Sequence, residues 1–444
     1  MTNHRPQWMN AISARNLQHP MPESLETGWS AFHRDIETVS ESRIFRKLYG
    51  KKVNYAHRYD GAMRSRLSQA FEAGGWARSF ARLFCQEVFK SKFENHEDYK
   101  QCCDEFESVA HAATLAKDIG STPFAKMGAR LIAEVSGREF RKDAQSVHIL
   151  VDPIFHDSLE VSAPTLAALI TKRDENHSFY EDDKDSIDQI FSALGIEGIY
   201  HPISYIVDAA YRCARMYTDI QDYYHWSVAQ KGQFGSYHDE LFDALNAFSD
   251  KAITGNETLG DTFAKALKSG TAQEFIAQFK GIVHQQITDF AKVFASDSVA
   301  YSMDDFPQAF HNYMSECEFR NETTEAHILY ASVPGRASVG QNLWTLSAVA
   351  SKIVRMGDRH SAAHNMHVRA VFSDLWRFSV RQLQDHNSDL LKIMQWEDQG
   401  YMLYAMAEGK TELAIVDLFA AMTDHEADLF WESIQKPRTF RLVA

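Results

Sequence analysis

The stretch YHPISYIVDAAYRCARMYTDIQD, residues 200–222, has the pattern of one long amphipathic helix. Pro202 suits a first helical turn, because the backbone N–H that it lacks would have no partner there. The apolar face of this helix is formed at helical spacing by Ile203, Ile206, Ala210, Ala214 and Tyr217. The pattern therefore predicts a helix over 198–226 that begins near His201-Pro202.

The rest of the chain shows the same periodicity. Its 444 residues include only 21 glycines and 10 prolines, fewer than many short strands and turns would need. Apolar residues make up 45% and charged residues 24%, which is typical of a globular protein and excludes a mostly disordered chain. Further helices are predicted at 64–90, 105–119, 123–135, 237–249, 258–268, 271–296, 340–356, 365–388, 389–407 and 411–435. We expect an all-α fold built from long helices.

Charge and motif content exclude several classes of protein. With 60 acidic and 46 basic side chains the net charge is −14, which disfavours DNA binding over the whole surface. No run approaches about 18 apolar residues, and the first residues lack an apolar signal core, so we expect a cytoplasmic protein. The five cysteines show no CxxC spacing, and Walker, GxGxxG, GxSxG and HExxH patterns are absent.

An acidic run and a group of three histidines also stand out in the sequence. The acidic run EDDKD at 181–185 predicts a solvated loop. His360, His364 and His367 follow i, i+4, i+7 spacing, which suits a metal, but no carboxylate motif accompanies them. We expect no metal site there.

A set of ordered segments carries more information. They are ESRIFRKLYGKKV (41–53), RSRLSQAFEAGGWARSFA (64–81), AATLAKDIGSTPFAKMGARL (112–131), DAQSVHIL (143–150), PTLAALI (164–170), the 200–222 stretch and VDLFAAMTDHEADLF (416–430). Together they resemble the HD-superfamily deoxynucleoside triphosphate triphosphohydrolases, the bacterial dGTPase family, in collinear order over about 35–432. The resemblance implies the HD-domain helical fold of that family. It divides the chain into an N-terminal extension (1–34), an HD-like core (35–230) and a helical C-terminal region packed on the core (231–444).

The resemblance also implies where a catalytic site would lie. In that family a His, a His-Asp pair and a distant Asp hold a divalent metal, which presents water to the α-phosphate so that triphosphate leaves. Here the corresponding ligand positions are Gln69, Lys117, Asp118 and Tyr211, so that only Asp118 is retained. The acid–base positions of the family correspond to Lys126 and Ala129. We predict no metal cofactor at this site.

The replacements have a common charge. Lys117, Lys126, Arg212 and Arg215 are all basic, and Lys and Arg bind phosphate directly. The resemblance implies that Arg66 contacts the triphosphate and Asp219 the sugar 3′-hydroxyl. The nucleotide-binding set is therefore predicted as Arg66, Lys117, Lys126, Arg215 and Asp219. Asp118 is expected to pair with Lys117 or Arg66, and Arg215 with Asp219.

Three functions remain open. The first is a nucleotide-binding or regulatory pseudoenzyme subunit, as a homo-oligomer or in a hetero-oligomer with an active paralog. The second is an active dNTP triphosphohydrolase with a rearranged site, in which Asp118 and Asp219 act as a base or hold a loosely bound Mg or Mn. The third is a single-stranded nucleic-acid binder, for which an aromatic content of 12% would supply stacking faces.

Overall fold

A computed structural model describes residues 5–22, 30–54, 63–152, 159–171, 178–229, 235–248, 258–269, 273–297, 301–316, 328, 337–358, 362–384 and 409–435. These residues form 17 α-helices joined by loops and short 3₁₀ turns, and no strand longer than an isolated bridge occurs among them. The predicted all-α fold is confirmed. No helix in this part of the chain combines the length and apolar character needed to cross a membrane.

The described N-terminal half contains nine α-helices. They are α1 (Ala31–Glu41), α2 (Arg43–Lys47), α3 (Arg66–Val88), α4 (His96–Ala116), α5 (Ala125–Ser136), α6 (Lys142–Val151), α7 (Ala163–Leu169), α8 (Lys184–Ala193) and α9 (Pro202–Ala229). Helix α9 begins at the predicted proline, and α3 agrees with the predicted 64–90 segment within two residues.

The helices that follow complete the fold. They are α10 (Gly235–Phe248), α11 (Leu259–Ser269), α12 (Gln273–Asp297), α13 (Phe306–Glu316), α14 (Ala337–Asp358), α15 (Ala362–Gln384), α16 (Thr411–Ala421) and α17 (Asp424–Gln435). The helix predicted at 389–407 lies outside the described residues.

Two apolar cores organise the described helices. In the larger one, α3 packs against α4, α9 and α12, and aromatic rings such as Phe84 and Phe106 stack at a centroid distance of 6.2 Å. The smaller core joins α5 to α15, α16 and α17 through side chains that include Leu131, Phe372 and Phe419. Helix α5 belongs to the second core, whereas α3, α6 and α9 contribute to the first, so the surface between them is a natural place for a cavity.

The prediction of a single helix over 411–435 is wrong. The chain becomes extended at Met422 and restarts at Asp424, because Thr423 and Glu426 form a capping box. Glu426 N–H donates to Thr423 Oγ1 at 3.0 Å, and Thr423 N–H donates to Glu426 Oε2 at 2.8 Å. The sequence TDHE at 423–426 is typical of a capping box and therefore of a new helix start. The apolar periodicity continues on both sides of it, so periodicity alone predicts one helix.

The acidic run at 181–185 also differs from its predicted loop. It forms a 3₁₀ turn over Glu181–Asp183 and the start of α8. Asp183 is buried, and its Oδ1 lies 2.9 Å from Nδ1 of His148. The rest of the run is exposed, as expected for solvated charges.

Candidate functional site

The turn between α4 and α5 carries Asp118 and is held tightly against α6. At Gly120 a Cβ atom would lie 2.4 Å from Ser146 N and 2.6 Å from Lys142 O, so only glycine permits this approach. Ser146 Oγ accepts a hydrogen bond from Gly120 N–H at 3.0 Å and donates one to Lys117 O at 3.0 Å. The turn therefore lies directly beside the first residue of α6, Lys142.

The carboxylate of Asp118 is fully buried among cations. Its Oδ1 accepts hydrogen bonds from Lys142 Nζ and from the Tyr211 hydroxyl, both at 2.8 Å. The Arg66 guanidinium is 3.7 Å from the same oxygen. Burial by itself would raise the pKa of Asp118, but the charges of Lys142 and Arg66 outweigh it and lower the pKa below its ordinary value. Asp118 is therefore ionised.

Lys142 places an ammonium group among oxygens from three parts of the fold. Besides Asp118, its Nζ donates to the Tyr211 hydroxyl at 2.6 Å and lies 3.4 Å from Asp143 Oδ1. It also faces the Tyr211 ring, 4.2 Å from the centroid. Burial lowers the pKa of Lys142, yet Asp118 and its other neighbours raise it overall, so the ammonium stays charged.

Tyr211 remains a neutral phenol in this arrangement. Burial, followed by the charge of Asp118, raises the pKa of Tyr211 above its ordinary value. The phenol can therefore donate to Asp118 and accept from Lys142 at the same time.

Lys117 does not pair with Asp118. Its Nζ lies 3.8 Å from Asp143 Oδ2 and donates to Thr171 Oγ1 at 3.2 Å. Lys117 caps the end of α4, and adjacent residues on a helical turn point in different directions. The structure thus assigns the partnership with Asp118 to Lys142 and Arg66.

Gln69 follows Arg66 by three residues on α3. Its Oε1 accepts a hydrogen bond from the Arg66 guanidinium at 3.1 Å. Three buried polar atoms here have no hydrogen-bond partner among the described residues, namely Arg66 Nε, Gln69 Nε2 and Asp118 Oδ2. Unpaired buried donors and acceptors are costly, so the group is suited to water or a bound molecule.

These residues meet at a cavity of about 530 Å³, within the range of small-molecule sites. Five basic side chains line it: Arg66, Lys126, Arg141, Lys142 and Arg215. Asp143 is the acidic residue in the lining, and the remaining contributors are neutral, including Asn54, Ser121, Ser178 and Tyr211. The cavity is therefore strongly cationic within a chain whose net charge is −14.

Asp219 is one residue removed from the cavity lining. Asn54, which lines the cavity, donates through Nδ2 to Asp219 Oδ1 at 2.9 Å and to Asp222 Oδ2 at 3.0 Å. Arg215 lies 4.0 Å from Asp219, in the predicted pairing. Burial raises the pKa of Asp222 to about 7, although Asn54 and Arg64 oppose it.

The sequence-predicted residues divide into three groups by position. The cavity is lined by Arg66, Lys126, Ala129, Tyr211 and Arg215. Gln69, Lys117, Asp118 and Asp219 are not part of the lining, but each contacts a residue that is. Arg212 pairs with Asp208 at 3.0 Å and does not contribute to the lining.

The charged and amide side chains of the cavity that the sequence interpretation missed are Asn54, Arg141, Lys142 and Asp143. Lys142 immediately precedes the DAQSVHIL segment and occupies the first position of α6. A lysine at a helix N-terminus is unfavourable in the field of the helix dipole, so this position was a signal of a specific role.

A buried network of charged side chains anchors α6 to neighbouring parts of the fold. His148 contacts Asp183 at 2.9 Å through Nδ1, and its Nε2 lies 3.8 Å from Asp417 Oδ2 on α16. Gln145 Nε2 donates to Asp417 Oδ1 at 2.8 Å. Burial would lower the pKa of His148, but the hydrogen bond to Asp183 and the nearby carboxylates raise it to about 9.

The donor groups beside Asp118 do not suit a divalent metal. One oxygen of Asp118 already accepts hydrogen bonds from an ammonium and a phenol. The side chains next to it are the Arg66 guanidinium, which is itself a cation, and the Gln69 amide, which is already bonded to Arg66. Within the described part of the chain, no group of three or more His, Cys, Asp or Glu side chains is placed to hold a metal ion. His360 lies outside the described residues, the His364 ring is 6.0 Å from that of Phe124, and His367 contacts Asp428 at 2.8 Å.

Comparison with known proteins supports the resemblance noted from the motifs. The chain is 22% identical over 268 residues to a deoxyguanosinetriphosphate triphosphohydrolase-like protein of Synechocystis, covering 49% of this chain and 60% of that protein. A protein of the same description from Pseudomonas aeruginosa is 23% identical over 257 residues, 48% of this chain and 56% of the relative.

A third relative with that description, from Neorickettsia sennetsu, is 30% identical over 121 residues, 27% of this chain and 26% of its own length. The matches to the first two relatives span little more than half of those proteins. No family model matches the chain. The chain therefore resembles the dGTPase-like proteins in sequence, as the ordered motifs predicted.

Proposed function

We propose that this protein binds the triphosphate of a deoxynucleoside triphosphate in the cationic cavity and does not hydrolyse it. It would act as a nucleotide-sensing or regulatory subunit in the cytoplasm. The observation that carries the proposal is the Lys142 ammonium, which lies 2.8 Å from Asp118 and 2.6 Å from the Tyr211 hydroxyl. A fixed organic cation takes the place beside Asp118 in which the resemblance would put a metal.

Binding is supported by charge and by hydrogen-bonding capacity. Arg66 and Lys142 are presented by the first turns of α3 and α6, and Arg215 reaches the same cavity from α9. Guanidinium and ammonium groups bind phosphate oxygens directly, and a guanidinium can do so with two parallel hydrogen bonds. Arg66 Nε, which has no partner among the described residues, is a donor available for such a bond.

We expect no turnover, because the described lining of the cavity offers no group that activates the attacking water. Triphosphate release requires a water activated by a metal or by a positioned base. Asp118 is ionised but tied to Lys142 and Tyr211, and the positions expected to supply acid–base chemistry are Lys126 and Ala129. Substrate can be held at this site without a group that activates the attacking water.

The experiment is calorimetric titration of the purified protein with each of the four deoxynucleoside triphosphates and with inorganic triphosphate. We expect saturable binding that weakens as salt is raised, because the contacts are charge-assisted. Lys126→Gln should weaken it, since Lys126 is exposed at the cavity edge and its loss should leave the fold intact. Lys100→Gln, at the far end of α4, is the matched control.

Failure of all these ligands to bind would refute the proposal. Equal weakening by Lys126→Gln and Lys100→Gln would place the binding elsewhere and refute it too. Binding of the nucleotides together with the inorganic triphosphate would identify the polyphosphate chain as the recognised group.

An active enzyme is the second candidate, and one observation favours it. Asp118 Oδ2 has no hydrogen-bond partner among the described residues, so this oxygen could orient a water or a metal carried in by the substrate. Under this alternative Asp118→Ala should abolish turnover, whereas under the first proposal it should leave the absence of turnover unchanged.

The proposed regulatory role implies that the protein assembles with a partner protein. A subunit that binds a nucleotide without consuming it acts by changing a partner, either another copy of itself or an active paralog of the dGTPase-like type. Sedimentation of the protein alone and mixed with such an enzyme, with and without dGTP, tests this. Single-stranded oligonucleotide added to the same samples tests the nucleic-acid alternative, since such binding would be strongly salt-dependent.

A further inference from the structure

The two carboxylates next to Lys142 are already paired with neighbouring cations. Asp118 is bonded to Lys142 and faces Arg66. Asp143 lies 3.4 Å from Lys142 and 3.8 Å from Lys117. Burial would raise the pKa of Asp143, but these two lysines lower it to about 2, so its negative charge is matched by theirs.

A magnesium ion entering with a nucleotide would therefore find few ligands. Mg²⁺ in nucleotide sites is held by one or two carboxylates together with phosphate oxygens and water. Here the cavity presents five basic side chains, and the Lys142 ammonium is fixed against Asp118. Bringing a divalent cation to that carboxylate would place it beside Lys142 and Arg66 at short range, where like charges repel.

The same cation would also weaken the binding of the ligand to the protein. Chelation by Mg²⁺ cancels two negative charges of a triphosphate and occupies oxygens that Arg66 and Lys142 would otherwise contact. In most nucleotide sites this loss is offset by the protein carboxylates that hold the metal. Asp143 in the lining and Asp118 behind it are matched by lysines instead, and Asp219 lies 4.0 Å from Arg215.

We propose that the cavity selects the metal-free form of a nucleoside triphosphate, so that Mg²⁺ competes with the protein for the ligand. The inference rests on the proposed nucleotide binding and specifies its ligand. Lys142 supplies the counter-charge that a magnesium ion supplies elsewhere. A protein with this property responds to the fraction of nucleotide that is free of magnesium.

The experiment measures the affinity for dGTP and for inorganic triphosphate in EDTA and in excess MgCl₂, at one ionic strength set with NaCl. We expect the affinity to fall by about tenfold or more in MgCl₂, equivalent to about 1.4 kcal/mol. Lys142→Gln should reduce or reverse the magnesium effect, because Asp118 then becomes available to a metal. Lys100→Gln should behave as the wild type, and thermal unfolding checks that both variants are folded.

The outcomes separate the two proposals. Binding that is equally tight or tighter in MgCl₂ would overturn the inference and leave the proposed nucleotide binding intact. No binding in either condition would overturn the proposed function, and the inference with it. A magnesium effect that persists unchanged in folded Lys142→Gln would show that Lys142 is not its cause and would also overturn the inference.

Discussion

Lys142 Nζ, at the start of α6, and Oδ1 of the fully buried Asp118, in the turn after α4, lie 2.8 Å apart. The contact is possible because Gly120 lets the turn after α4 approach the backbone of α6. It makes the Asp118 carboxylate one half of an ion pair, so its Oδ1 is not free to bind a metal. The functional proposals above depend on this pair.

The pair should contribute strongly to the stability of the fold. Lys142→Met leaves the Asp118 carboxylate buried with weaker compensation, so we expect a loss of about 3–5 kcal/mol in the free energy of unfolding. The double variant Lys142→Met/Asp118→Asn should recover much of that loss, since no buried charge is left unpaired. Urea unfolding of the two single variants and the double variant measures the coupling; additive losses would argue against the pair.

Replacement of Arg66 by lysine should weaken triphosphate binding while keeping the charge. The compact ammonium cannot reproduce the guanidinium fork, and the bond from Nε is lost. We expect about a ten- to hundredfold increase in Kd for dGTP, equivalent to about 1.5–3 kcal/mol. Calorimetry checks the value, and an unchanged Kd would show that Arg66 does not contact the ligand.

The close packing at Gly120 should be intolerant of a side chain. Gly120→Ala forces the turn away from Ser146 and Lys142, and we expect a loss of stability of about 1–3 kcal/mol together with weaker dGTP binding. Gly75→Ala on α3 is the control, because an added Cβ there meets no atom within 4 Å. In that helix interior the control should gain about 0.5–1 kcal/mol. Similar effects of the two changes on unfolding would contradict the account.

His148 should make stability dependent on pH. Its pKa is raised from 6.5 to about 9 in the folded protein, so its contribution is fully present below pH 6.5 and disappears as the pH rises through 9. By this shift the contribution is about 3 kcal/mol. The difference in unfolding free energy between wild type and His148→Gln should therefore shrink over that interval. A difference that stays constant from pH 6 to pH 9.5, measured by urea unfolding at about half-unit steps, would exclude a charged His148.

The long helices were predictable because their apolar periodicity is local. Helices α3 and α9 follow from the spacing of their own side chains, whereas the break at Thr423 depends on a four-residue capping signal inside a continuous apolar pattern. Asp183 appeared solvated in the sequence because its partner, His148, is 35 residues away.

The candidate site was predictable in position but not in its pairing. The ordered motifs brought Arg66, Tyr211 and Arg215 to one cavity, because each lies in a segment with a recognisable counterpart. Asp118 was expected to pair with Lys117 or Arg66. Arg66 lies 3.7 Å from it, whereas the closer lysine is Lys142, 24 residues away, and not the sequence neighbour Lys117. Only the tertiary contact at Gly120 decides between the two lysines.

The most direct test of the central claim is product analysis after incubation with each of the four deoxynucleoside triphosphates, singly and mixed, in Mg²⁺ and in Mn²⁺. Chromatography must separate nucleoside plus inorganic triphosphate from the products of contaminating phosphatases. We predict that every nucleotide is recovered intact from every mixture. Release of intact inorganic triphosphate that disappears in Asp118→Ala would contradict the account and establish a working enzyme.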